Sequence, residues 1–167
     1  FNLLAVDNPR YRESFVLSAA YRVAKLPTKL MGWPKKRRFD AFRKKHLPVT
    51  RQRYTTNSEL RSNPPPADVY LVGSDQVWNP LFGNGRDPAF YLDFAPQRCV
   101  RASYAASIAA PRIPQEAREM MATRLRGLDA ISVRETSALR MLEELGVDSV
   151  VQVLDPVFLL TADDWAQ

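Results

Sequence analysis

Apolar and polar positions change their rhythm near residue 67. Downstream, short apolar runs alternate with stretches in which apolar residues recur every three or four positions. Val69-Tyr70-Leu71-Val72 is a β-branched and aromatic run behind the breaker Pro64-Pro65-Pro66, and it reads as a buried strand. Residues 99–105 read as a second strand, whose core positions alternate with Arg101 and Ser103. Residues 130–133 and 150–154 supply two more. Between these runs, Ala117, Met120, Met121, Leu125 and Leu128 predict a helix from Pro114 or Gln115 to Arg126. A second helix, about 136–145, buries Leu139, Leu142 and Leu145 and stops at Gly146. The loop after the first strand contains Pro80, Gly83, Gly85 and Pro88, and within it Phe90-Tyr91-Leu92 reads as a short edge strand. Thr161 and Asp164 form a variant capping box, so a helix is expected to begin there.

Upstream of residue 67 the pattern is weaker. Leu3-Leu4-Ala5-Val6 reads as the end of a strand, and residues 14–31 as a helix punctuated by Pro27 and Pro34. Residues 48–66 read as connecting structure with a short helix from Ser58. In the densest basic block, 35–46, Phe39 and Phe42 lie one turn apart with cations around them, which predicts an amphipathic helix with a narrow apolar seam. Strands alternating with helices imply right-handed crossovers and a parallel sheet with helices on its faces. The predicted class is therefore α/β and Rossmann-like. Residues 1–66 are expected to be a basic N-terminal region of the same domain, and 67–167 its core α/β segment.

Composition narrows the chemistry. The 167 residues suffice for one core and not comfortably for two. Cys99 and His46 are the only cysteine and histidine, which excludes an internal disulfide and multi-histidine or cysteine metal cages, and nearly excludes Ser-His-Asp and Cys-His catalysis. No metal and no cofactor are expected, and neither G-x-G-x-x-G nor a Walker sequence is present. No run approaches the roughly 20 apolar residues of a spanning helix, and no signal peptide is visible. A reducing cytoplasm fits. The net charge of +6 hides a dipolar chain, +11 over residues 1–66 and −5 over 67–167. For the block 35–46 three readings stay open: a solvated helix face, contact with an anionic membrane surface, and nucleic-acid binding. The last is the least expected, because no nucleic-acid motif accompanies the charge.

The most informative stretch is Gly73-Ser74-Asp75-Gln76-Val77-Trp78-Asn79-Pro80. Ligands of α/β sheets sit at the carboxyl ends of strands, and here a turn rich in hydrogen-bonding groups follows one directly. Gly73, Ser74, Asp75, Gln76 and Asn79 are therefore candidate binding residues. The competing reading is a capped loop whose Trp78 plugs the core. Asp68 to Asn79 also resembles the signature of the polysaccharide pyruvyl transferase family. Four further blocks match in order: Phe90 to Phe94, Ser103 to Ile108, Ile131 to Glu135, and Val153 to Leu160.

That resemblance covers about residue 40 to the end. It implies one half of a two-domain GT-B-type enzyme, the glycine-rich start and the second half of such proteins being absent here. It implies transfer of pyruvate from phosphoenolpyruvate to two hydroxyls of a carbohydrate acceptor, lipid-linked or otherwise, in making cell-surface polysaccharide. A peripheral position at the inner face of the membrane would suit such an acceptor. A donor carrying a carboxylate and a phosphate suits arginine forks, and Arg134 at the end of a strand is the first candidate. The opposing reading is that Arg134 pairs with Glu135 or Asp155 and only ties the strand end down. Ser107 is a candidate phosphate contact, although Ala109 stands where similar chains usually have glycine. The general acid is expected in the second half, so the chain alone is expected to be inactive. Two other functions stay open, a nucleotide-sugar glycosyltransferase-like enzyme and a non-catalytic binding module.

Overall fold

The computed structural model describes residues 32–165. The chain divides into two compact units, 1–51 and 52–167. In the first unit residues 32–46 form a helix, α1. The predicted seam of Phe39 and Phe42 is exposed, and so is Trp33 earlier on the helix, each showing half or more of its surface. Phe42 stacks on His46 at 4.6 Å, the Arg37 guanidinium lies over the Trp33 ring, and Lys36 pairs with Asp40 one turn on. The strand expected at 3–6 and the helix expected at 14–31 lie outside the described residues.

The second unit opens with α2 (Asn57–Ser62), capped by the Thr56 hydroxyl, which accepts from the Glu59 N–H at 3.1 Å. Then follow β1 (Val69–Val72), β2 (Val100–Ser103), α3 (Gln115–Leu125), β3 (Ile131–Val133), α4 (Thr136–Glu143), β4 (Val150–Gln152) and α5 (Ala162–Trp165). β1 pairs with β2 and β3 with β4, both parallel. Two isolated parallel bridges, Ala102 to Ala130 and Ala106 to Val133, stitch one pair to the other. The fold is thus α/β, with small parallel sheets and helices. Two helix boundaries follow the sequence: Gly146 turns the chain at φ 65° just past α4, and Thr161 and Asp164 cap the start of α5 reciprocally.

Each strand runs shorter than its apolar stretch by a residue or more, except β1. The expected edge strand at 90–92 is instead a 3-10 turn, Pro88–Tyr91. Asp87 caps it by accepting from the Ala89 N–H, Pro88 supplies the right φ at its start, and Leu92 ends it at φ 58°. A proline and a capping aspartate at the start override the β preference of Phe and Tyr.

The core of this unit gathers around Trp78, Tyr91, Met121, Leu125, Val133 and Leu142, all fully buried. Trp78 is the plug anticipated by the capped-loop reading. Its Nε1 donates to the Phe90 carbonyl at 2.8 Å and its indole stacks on Tyr91 at 6.0 Å. The Tyr91 hydroxyl donates to the Gly85 carbonyl at 2.7 Å, and burial pushes its pKa up. The connection from β1 to β2 therefore holds its shape without an α-helix of its own, pinned by buried aromatic side chains that carry one polar end each.

Candidate functional site at the carboxyl edge of the strands

β1 ends on Gly73, whose φ of 136° suits only glycine. A Cβ there would sit 2.0 Å from the Tyr104 carbonyl oxygen, so the turn presses directly against the strand-end of β2. The same segment of β2 carries a bulge. Residues 102–106 run against residues 130–133, one residue more on the β2 side, and Ala105 takes φ 50°. Two buried serines fill the widened gap. The Ser103 hydroxyl donates to the Ser132 carbonyl and accepts from the Ser132 N–H; the Ser132 hydroxyl donates to the Ser103 carbonyl and accepts from the Ala105 N–H. The bulge re-aims the chain after Ala105 and brings residues 106–109 under the signature turn. There the Ser107 N–H donates to the Asp75 carbonyl at 3.1 Å and the Trp78 N–H to the Ser107 carbonyl at 3.2 Å.

Three charged side chains, Arg134, Glu135 and Asp155, meet at this edge. The Arg134 Nη1 donates to Asp155 Oδ2 at 2.8 Å, and its Nε lies 3.9 Å from Glu135 Oε2. Hydrogen bonds from the Arg134 guanidinium and the Val157 N–H hold the Asp155 carboxyl below the usual carboxylate range, and Ser74 adds a further side-chain hydrogen bond. The Asp75 charge also bears on Arg134. Arg134 keeps about a third of its side chain exposed (35%), and among the described residues its Nη2 makes no hydrogen bond. Ser74, Asp75, Arg134 and Asp155 thus form one mouth.

These observations meet a sequence match over almost the full length, because the model of the polysaccharide pyruvyl transferase family covers residues 4–167. The chain belongs to the polysaccharide pyruvyl transferase family. No curated protein and no solved structure matches this family member.

Within this pyruvyl transferase family fold the remaining candidates take different places. Gln76 lies beside Asp75 and is exposed, its Oε1 accepting from Asn79 Nδ2 at 3.0 Å. Asn79 is buried beneath the turn. Its amide also donates to the Ala109 carbonyl, and its Oδ1 accepts from the Leu81 N–H, so it binds the loop together. Ser107 is fully buried and donates its hydroxyl to Glu135 Oε1 at 2.6 Å. The Ala109 N–H donates to the same oxygen at 3.1 Å, with Ala109 at φ 44°. A protein carboxylate therefore stands where a phosphate would receive this loop's N–H. Glu135 is the site residue that sequence reading weighed only as a partner for Arg134; its hold on Ser107 follows from the bulge, which no residue type announces. His46 lies on α1, in the other unit. Among the described residues no group of three His, Cys, Asp or Glu side chains is placed to hold a metal ion.

Proposed function

We propose that this chain supplies donor and acceptor contacts for pyruvyl transfer from phosphoenolpyruvate to a carbohydrate diol, on a GT-B-like, Rossmann-type half. The reaction balances simply. A proton adds to the enol methylene, two sugar hydroxyls bond to the adjacent carbon, and phosphate leaves with the second hydroxyl proton. The product is a ketal. Membership of the family and a partly exposed arginine at the strand ends support this reading. Arg134 is also a structural tie to Asp155, so a donor draws on the free side of its fork, where bidentate geometry suits a carboxylate or phosphate. The proton donor for the enol carbon is assigned to no residue described. The acceptor belongs to the making of cell-surface polysaccharide, and α1 suits an anionic membrane surface on the cytoplasmic side.

Calorimetric titration of phosphoenolpyruvate into the chain and into Arg134→Ala tests the reading. Binding by the native chain, weakened at least tenfold by the substitution, is the expected result. Equal binding by both proteins removes Arg134 from the donor site. A nucleotide sugar that binds where phosphoenolpyruvate does not transfers the case to glycosyl chemistry.

A further inference from the structure

Beside the Arg134 mouth lies a second hollow of about 490 Å³, lined by Asp75, Gln76, Val77, Phe82, Asn84 and Phe90. Its size falls within the usual range of small-molecule sites, about 300–1,000 Å³. Its lining is unusual for a packing defect. Phe82 is 58% exposed on a loop tip, although nothing in the core needs a ring there. Phe90 is half-buried and fixed in place, because its carbonyl anchors Trp78. The polar members are equally fixed: Asn84 Nδ2 donates to the Gln76 carbonyl at 2.7 Å, and Gln76 Oε1 accepts from Asn79. Each of these bonds uses one end of an amide. Among the described residues, the Asp75 carboxylate, Gln76 Nε2 and Asn84 Oδ1 make no hydrogen bond. The hollow thus offers acceptors and a donor beside two aromatic rings.

A pyranose ring matches that combination. It has an apolar C–H face for an aromatic ring and a rim of hydroxyls, each of which donates and accepts. The hollow holds a carboxylate and no cation, which disfavours a phosphorylated or otherwise anionic ligand. Asp75 lines this hollow and also bears electrostatically on Arg134. A sugar hydroxyl that donates to Asp75 would therefore lie next to a residue whose charge reaches the Arg134 mouth. We infer that the hollow bounded by Asp75, Gln76, Phe82, Asn84 and Phe90 is the subsite for a neutral hexopyranose of the acceptor, its ring on Phe82 and a diol hydroxyl on Asp75. This rests on the donor reading for the role of the sugar, and on the hollow alone for its binding.

The test is saturation-transfer NMR with methyl hexopyranosides of gluco, galacto and manno configuration, each with a free 4,6-diol, without phosphoenolpyruvate. Saturation of ring C–H protons by the native chain is expected, falling at least fivefold in Phe82→Ala and in Asp75→Asn. Phe82 is exposed and Asp75→Asn is isosteric, so both variants should fold, which their amide spectra verify. Absence of transfer to all three glycosides overturns the inference, as does undiminished transfer in both variants. Uridine monophosphate displacing a bound glycoside also overturns it, since the hollow would then take an anion. Sugar binding without any phosphoenolpyruvate binding upholds the subsite and sinks the donor reading; the reverse pattern does the opposite.

Discussion

Gly73 shows how much a single position controls. The chain leaves β1 at φ 136° with the Tyr104 carbonyl 2.0 Å from where a Cβ would lie. Gly73→Ala adds both a clash with backbone and a disfavoured conformation, so a loss of about 3 kcal/mol or more is expected. Urea unfolding would register this as a lower midpoint at constant slope; an unchanged midpoint would mean that the turn yields freely. The need for glycine here was legible, because a glycine straight after an apolar run marks a turn. Ala105 and Ala109 were not, since alanine gives no sign of a positive φ. Arg134 was legible as a strand-end cation, and the structure places it on Asp155, one of the two partners the sequence offered. Ser107 was legible as a polar residue in the right loop, yet its direction depends on Glu135, 28 positions away, and no local pattern carries that.

At the scale of elements, the paired serines decide how β2 and β3 meet. Ser103 and Ser132 exchange four hydrogen bonds with each other's backbone and the Ala105 N–H. Removing either hydroxyl strands buried partners, each costing about 1–3 kcal/mol. Ser132→Ala is therefore expected to lower stability by about 2–4 kcal/mol, and Ser103→Ala by a similar amount. The two share partners, so the double substitution should cost clearly less than the sum, and denaturant titration of all four proteins measures the difference. Strict additivity would show that the serines act separately. Strand positions were read to within one or two residues because apolar runs report burial directly. The bulge and the 3-10 turn at 88–91 were missed for a common reason. Both arise from satisfying backbone groups, in one case by hydroxyls from a neighbouring strand and in the other by a capping aspartate.

Across the molecule, charge divides much as the units do. The basic excess lies in residues 1–66, and the dense block falls on α1, in the first unit; the acidic excess lies in the region that carries the cleft. α1 shows exposed aromatic rings among its cations. Each Lys or Arg near an anionic bilayer contributes roughly 1 kcal/mol, so neutralising Arg37, Arg38, Lys44 and Lys45 should weaken binding to phosphatidylglycerol vesicles by about a thousandfold. Sedimentation with those vesicles and with phosphatidylcholine vesicles, at low and high salt, checks this. Binding to both lipids alike, or insensitivity to salt, would leave charge out of it. The class of the fold was visible at this scale in the strand and helix alternation. The division of the chain between Arg51 and Gln52 falls within residues 48–66, the stretch that the sequence reads as connecting structure.

The carboxylate of Glu135 has a consequence for traffic through the cleft. It is a tethered competitor, already holding the Ser107 hydroxyl and the Ala109 N–H that a dissolved anion would need. Inorganic phosphate, bringing no other anchorage, cannot lodge in that loop without evicting it. Under the proposed reaction, which releases phosphate, that occupancy would keep the Ser107 hydroxyl and the Ala109 N–H closed to the by-product.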